Sequence, residues 1–204
     1  MEWPVTGVVL AAGAAERMGE PKLLLPLDGS TVLNTTLASV EASEVDRVIV
    51  VTGANADLIE DSIVADRATV VRNADYRRGN MSSFLTATAA DPDAAAFILV
   101  PGDLPTIRAD VIDLMVGLWG ETKPWAAVTA YVDRIAHPIL VSREAVVVAA
   151  QTPGQKVLGR LLIEADDDRV VRLIVPTEAP RDVNTPGDYE ALLGDQGSTA
   201  IDDQ

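Results

Sequence analysis

The sequence predicts an α/β fold: a three-layer sandwich in which helices cover both faces of a mostly parallel, mixed sheet. Three observations predict it. Short valine- and isoleucine-rich runs at residues 5–10, 46–52 and 95–100 have the length and continuous apolarity of strands buried on both faces. Segments of helical periodicity separate them through the first half of the chain. Each run also ends in glycine or a glycine-containing turn, the punctuation expected where a buried strand meets a loop.

Val5 to Leu10 is the first strand, followed by the small-residue loop Ala11-Ala12-Gly13-Ala14-Ala15. Leu23 to Leu27 is apolar, and Asp28-Gly29 after it signals a turn. Thr31 to Ala42 carries helical spacing at Val32, Leu33, Leu37 and Val40. Asp46 to Thr52 is a second strand, Ala54 to Ala65 a helix and Thr69 to Arg72 a short strand. Ser82 to Ala90 reads as a helix with serine available to cap it. Ala95 to Val100 is the third strong strand, closed by Pro101-Gly102-Asp103, with a helix over Arg108 to Trp119.

Trp125 to Tyr131 and Ile139 to Val141 read as strands, and Arg143 to Ala150 and Val157 to Ile163 as helices. Val170 to Val175 is a late strand and Pro186 to Leu193 a short final helix. The polar segment Asp195 to Gln204 is expected to be a disordered tail after a single domain over residues 1–194. No internal repeat or linker divides the 204 residues.

Composition narrows the function. The chain has 31 acidic against 16 basic residues, a net charge of −15, which argues against a nucleic-acid-binding face. Without cysteine there is no disulfide, thiolate catalyst or Cys metal site, and the single histidine, His137, excludes a multi-His zinc site. The amino terminus lacks a basic segment and an apolar signal core, and no stretch is long and apolar enough to span a membrane. The expected location is the cytoplasm, with no membrane partner.

In parallel sheets ligands gather at the carboxyl ends of the strands. Two unusual loops lie there. The first, Leu10-Ala11-Ala12-Gly13 through Arg17 to Lys22, combines small residues that let backbone N–H groups approach an anion with two formal cations. It is not a P-loop, because Lys22 is followed by leucine rather than Ser or Thr, and it lacks the G-x-G-x-x-G dinucleotide fingerprint. The second is Val100-Pro101-Gly102-Asp103-Leu104-Pro105, which sets a carboxylate at a strand end, where a hard cation facing phosphates wants oxygen. In Asp182-Val183-Asn184-Thr185-Pro186, Thr185, Pro186 and Asp188 fit a helix start with a capping box. Capping does not explain Asp182 and Asn184.

The motif L-A-A-G-x-x-x-R-M-G-x-x-K directly after the first strand resembles the signature of the MobA-like nucleotidyltransferases, which include the molybdenum cofactor guanylyl- and cytidylyltransferases. The resemblance runs from Val8 to about Leu193 and implies the nucleotide-diphospho-sugar transferase-like form of the fold. It implies that Leu10, Ala11, Ala12 and Gly13 hold the triphosphate, contacted by Arg17 and Lys22. It further implies that Asp103 binds a catalytic Mg2+, with Mn2+ as the alternative ion, and that Asp182 and Asn184 complete the metal site. Asn80, Ser82 and Ser83 resemble the family's glycine-serine nucleotide contact, for which helix capping is the competing explanation. His137-Pro138 is similar to a pair near the acceptor in the cytidylyltransferase branch; a purely structural histidine is the competing explanation. The segment Gly154 to Arg160 departs from that branch's Gly-Asp-x-Gly-x-Arg pattern, which leaves the acceptor open.

The expected reaction is transfer of a nucleoside monophosphate to a phosphorylated small-molecule acceptor such as molybdopterin cofactor, with pyrophosphate released. CTP is favoured over GTP because Ala12 gives L-A-A-G where the guanylyl branch tends to carry L-A-G-G. Delivery of the product to a molybdoenzyme is the further partner this implies. Two alternatives remain: an NAD(P)H-dependent oxidoreductase of the same group, against which the missing fingerprint counts, and a nucleotide-binding module without turnover.

Overall fold

The structure, a computed structural model, describes residues 3–13, 21–152, 162 and 168–199. Nine strands are described: β1 (Val5–Ala11), β2 (Pro26–Leu27), β3 (Ser30–Thr31), β4 (Arg47–Thr52), β5 (Ala68–Arg72), β6 (Ala96–Pro101), β7 (Ala126–Ala130), β8 (Ile135–Ser142) and β9 (Val170–Ile174). The described helices are α1 (Val32–Glu41), α2 (Ala56–Ser62), α3 (Asn80–Ala90), α4 (Ala109–Thr122), α5 (Arg143–Gln151) and α6 (Pro186–Thr199).

Seven strands form one mixed sheet in the order β5-β4-β1-β6-β8-β7-β9. The strands from β5 to β6 are all parallel, β8 runs antiparallel to both β6 and β7, and β9 is parallel to β7. Alternation along β1 explains the three layers. Val9 points into a core with Leu33 and Leu37 of α1, Ile59 of α2 and Met115 of α4. Val8 points the other way, into a core with Phe84 of α3 and Val146 of α5. Both faces are covered, as the unbroken apolar runs require. A third cluster, Leu25, Leu27, Val32, Val183 and Leu192, ties the turn after the first loop to α6.

Beyond shifts of a residue or so, and a helix α2 shorter at both ends than the expected 54–65, the boundaries depart from expectation in four places. The strand expected at 139–141 extends from Ile135 to Ser142, because its pairing with β7 continues past an irregularity at Val128/Thr129. The helix α3 starts at Asn80 behind Gly79 at φ 96, and no side chain caps it, so the expected serine cap is absent. The helix α4 continues to Thr122, where Lys123 closes it in the left-handed region at φ 45. The helix α6 runs to Thr199, past its expected end at Leu193. Once Leu192 is buried and the first turn is formed, adding polar residues costs little, since nucleation is the expensive step. The helix expected over 157–163 lies outside the described residues, save Leu162, which is buried.

Candidate active site

The site begins with what fixes Lys22. A 3-10 turn at Lys22–Leu24 opens with Leu24 N–H donating to the Pro21 carbonyl at 2.8 Å. Leu23 then enters the main core while Leu25 and Leu27 enter the third cluster. The lysine stem is thus rooted between two cores, and its ammonium reaches over the carboxyl end of the sheet.

Asp103 follows the end of β6. Gly102 before it lies against β1 and α1, and its N–H donates to the Leu10 carbonyl at 2.9 Å while its own carbonyl accepts from Thr36 Oγ1 at 3.1 Å. A Cβ at Gly102 would stand 3.0 Å from Leu33 Cδ1 and 3.2 Å from the Leu10 oxygen. Glycine lets the strand end pass this close without displacing its neighbours.

The third segment is pinned to the second. Val183 N–H donates to the Asp103 carbonyl at 3.0 Å, and its side chain is fully buried in the third cluster. Its neighbours Asp182 and Asn184 are left beside Asp103. Behind them Asp188 Oδ2 accepts from Asn184 N at 3.0 Å and Thr185 N at 2.7 Å, and Thr185 Oγ1 accepts from Asp188 N at 3.2 Å. This is the capping box read from the sequence, and it holds the Asp188 carboxyl below its usual value.

The three segments meet at Lys22. Its ammonium forms an ion pair with Asp103 Oδ2 and donates to Asn184 Oδ1 at 2.9 Å, while Asn184 Nδ2 donates to Asp182 Oδ2. Lys22 is 81 residues from Asp103 and 162 from Asn184 in sequence. The ion-paired side chains are only 18% and 16% exposed, so their mutual field is less screened than that of a surface pair. Asp103, Asp182 and Asn184 supply carboxylate and amide oxygen, the donor chemistry of a hard divalent ion, and an ammonium already sits against two of them. Among the described residues no cluster of three His, Cys, Asp or Glu could hold a metal on its own. Two carboxylates suit magnesium, which takes one or two plus waters and substrate phosphates.

His137 is next to this cluster. Its Nδ1 lies 3.1 Å from the Leu99 carbonyl, and the His137-Pro138 peptide is cis. Burial pushes the imidazole pKa down, against the Leu99 bond and the fields of Asp103 and Asp182. A neutral ring beside a carbonyl carries its proton on Nδ1, so Nε2 presents a lone pair rather than a charge. Tyr131 donates from its hydroxyl to the His137 carbonyl at 2.9 Å, and burial raises that phenol to about 12.

Leu10 and Ala11, expected in the loop, are the last residues of β1, and Ala12 and Gly13 leave its end beside Gly53, which follows β4. Ala12 accepts from Ala54 N at 3.2 Å, and a Cβ on Gly53 would stand 2.8 Å from that of Ala12 and 2.7 Å from that of Tyr76. The Ala12 methyl is therefore packed on Gly53. Arg17 lies outside the described residues, as does the 154–160 segment. Asn80 is exposed in the first turn of α3. Ser82 and Ser83 accept from Asn73 Nδ2 at 2.9 and 3.0 Å, which fixes the entry of α3.

Asn73, buried just past the end of β5, is a residue that sequence reasoning missed, although the carboxyl-end rule applied to that strand points to it. Two clefts open along this end of the sheet. One of about 400 Å3 is lined by Gly53, Asn55, Asn73 and Tyr76 beside the first loop, and one of about 280 Å3 by Thr106, Tyr131, Pro180 and Arg181 beside the Asp103 and Asp182 segments.

Residues 7–170 match the MobA-like NTP transferase domain. The chain belongs to this family. Among curated relatives, this NTP transferase is 29% identical over 183 residues to the molybdenum cofactor cytidylyltransferase of Escherichia coli K12, covering 89% of this chain and 92% of the relative. It is 38% identical over 87 residues to nicotine blue oxidoreductase of Paenarthrobacter nicotinovorans, covering 42% and 43% of the two chains. Among solved structures, Rv0371c from Mycobacterium tuberculosis H37Rv superposes with a TM-score of 0.85 at 30% identity, over 95% of this chain and all of that one. A manganese complex of Rv0371c superposes with a TM-score of 0.77 at 28% identity, over 94% and 98%.

Proposed function

We propose that this NTP transferase moves CMP from CTP to a phosphorylated small-molecule acceptor, such as molybdopterin cofactor, and releases pyrophosphate. The observation that carries the reading is the meeting of Lys22, Asp103, Asn184 and Asp182, from three distant segments, where the first loop leaves the sheet. The near full-length likeness to a molybdenum cofactor cytidylyltransferase supports the choice of donor and acceptor.

Leu10 to Gly13, Arg17 and Lys22 cradle the triphosphate, with Asn80, Ser82 and Ser83 on the nucleoside side. The cleft of Asn55, Asn73 and Tyr76 adjoins Ala12 through Gly53 and has the polar and aromatic lining a nucleoside needs. The cleft beside Thr106 and Arg181 takes the acceptor. His137 then meets a hydrogen-bond donor of the acceptor, since its Nε2 offers a lone pair and no charge.

An acceptor phosphate oxygen forms the new bond to the α-phosphorus, and the bond from that phosphorus to the β-bridging oxygen breaks. The acceptor phosphate has a second pKa of about 6 and is already largely dianionic, so no side chain must remove a proton. Lys22 and Arg17 stabilise charge on the transferred group and on departing pyrophosphate. Asp103, Asp182 and Asn184 would hold Mg2+ or Mn2+, and a bound divalent ion neutralises phosphate oxygens. The manganese complex of a similar protein supports a divalent ion as the cofactor.

The test is pyrophosphate release with CTP, GTP, ATP and UTP against a panel of phosphorylated acceptors, with and without Mg2+. Acceptor-dependent release from CTP is expected. Release from no triphosphate, or from GTP in preference to CTP, overturns the transferase or the cytidylyl reading respectively.

A further inference from the structure

We infer that Lys22 is the place-holder for the divalent ion, so that metal and nucleoside triphosphate bind cooperatively through the transfer of one ammonium from Asp103 to phosphate. The inference rests on the nucleotidyltransferase reading and extends it to how the site is regulated.

Lys22 Nζ is bonded to Asp103 Oδ2 and to Asn184 Oδ1, two of the three donors assigned to the ion. An ammonium facing a donor atom at this range weakens the binding of a divalent ion to it at the ordinary distance of about 2.1 Å, because the two cations repel. The pair is largely covered, and its surroundings are acidic: Asp182 is bonded to Asn184, and Asp188 is close enough to feel the Lys22 charge. In a chain of net charge −15, one internal cation keeps these oxygens from repelling each other in the free protein.

Lys22 is also built to leave. Its backbone is held by the Pro21–Leu24 turn and by Leu23 in the core, but the charge rides on a flexible four-carbon stem. A metal ion entering alone is repelled by the ammonium, which has nothing else to receive it. A triphosphate entering with the metal receives it. Each ligand then strengthens the other by the same factor, as linkage requires.

The experiment measures Mn2+ affinity of the full chain from the electron paramagnetic resonance signal of free Mn2+, with and without α,β-methylene CTP. Wild type is expected to bind Mn2+ weakly alone and about tenfold or more tightly with the analogue. Lys22→Met is expected to bind Mn2+ alone at least about tenfold more tightly than wild type, a lower bound on the effect of removing a unit charge a few ångströms away. It should also lose the share of the coupling that runs through the ammonium, so that adding the analogue raises its Mn2+ affinity by a smaller factor than in wild type. Lys22→Arg keeps the charge and should bind Mn2+ alone as weakly as wild type.

Unchanged or weaker Mn2+ binding by Lys22→Met overturns the inference, as does Lys22→Arg matching Lys22→Met. Absence of coupling in wild type overturns it without any variant having to fold. Pyrophosphate release by wild type alongside such a result leaves the transferase reading standing. A gain in Mn2+ affinity without release from any triphosphate removes that reading instead.

Discussion

Two ionic clusters stand at the carboxyl end of the same sheet, and they differ in the cation at their centre. Arg72, the last residue of β5, grips Glu60 with two parallel bonds of 3.0 and 2.6 Å and reaches Asp57 at 2.6 Å. The guanidinium is a planar fork that matches a carboxylate. This pair is made within one short stretch of chain and is half exposed. Lys22 is a point charge on a flexible stem, mostly covered, with partners from two distant segments. The arginine cluster is a fastening between α2 and β5, while the lysine cluster holds a charge that can be handed to a ligand.

The largest effect that tests this contrast is on turnover. Lys22→Ala should lower kcat by about a hundredfold or more, the usual cost of removing one charge-stabilising donor, with the fold intact by circular dichroism. Arg72→Met should keep kcat within about twofold, because exposed ion pairs contribute little, and any effect of its place in the lining of the nucleoside cleft should appear in KM for CTP instead. Similar losses in both variants break the distinction.

Asp103→Asn comes next. It should abolish activation by Mg2+ in a titration of rate against metal, since a carboxylate oxygen is replaced by a weaker neutral donor. Retention of the wild-type metal dependence removes Asp103 from the site. Gly102→Ala should then cost about 1–3 kcal/mol in a denaturant melt, as an added methyl crowds Leu33 and the Leu10 carbonyl. It should slow turnover by shifting Asp103.

A smaller effect separates the clusters by pH. Arg72 first, and then Thr52, hold the Glu60 carboxyl down to about 2 from 4.5. A depressed acid stabilises the fold fully above its unfolded value and loses that contribution as pH falls through its folded value. Glu60→Gln should therefore lower stability at neutral pH, where that contribution is fully present, flatten the decline between about pH 4.5 and about pH 2, and differ little from wild type below it. An unchanged acid limb excludes this pair as a source of stability.

The smallest expected effect is that of Ala12→Gly on nucleotide choice. The methyl packs on Gly53 rather than into open space, so any shift from CTP toward GTP acts through the Gly53–Tyr76 spacing. It should stay below the 1–3 kcal/mol or so that shape alone supplies. Affinities for the four triphosphates measure it.

The sequence by itself determined the strands β1, β4 and β6, the helices between them and the loops at their ends. Continuous apolar runs and helical periodicity record burial directly, and glycine marks where a strand must stop. It also placed Lys22, Asp103, Asp182 and Asn184 in local motifs, and it foresaw the capping box of Thr185 and Asp188. It did not show the ends of β8 and α6, which pairing and cooperative propagation set, or the part of Asn73, whose amide acts on serines in another element.

Only the tertiary structure decided that Lys22, Asp103 and Asn184 touch. That contact depends on Val183 filling a small core and donating its N–H to Asp103, and on Gly102 letting β6 end against β1. Local pattern reports which face of an element is buried. It carries no information on which distant charge a loop will meet, because that is fixed by the packing of the elements beneath it.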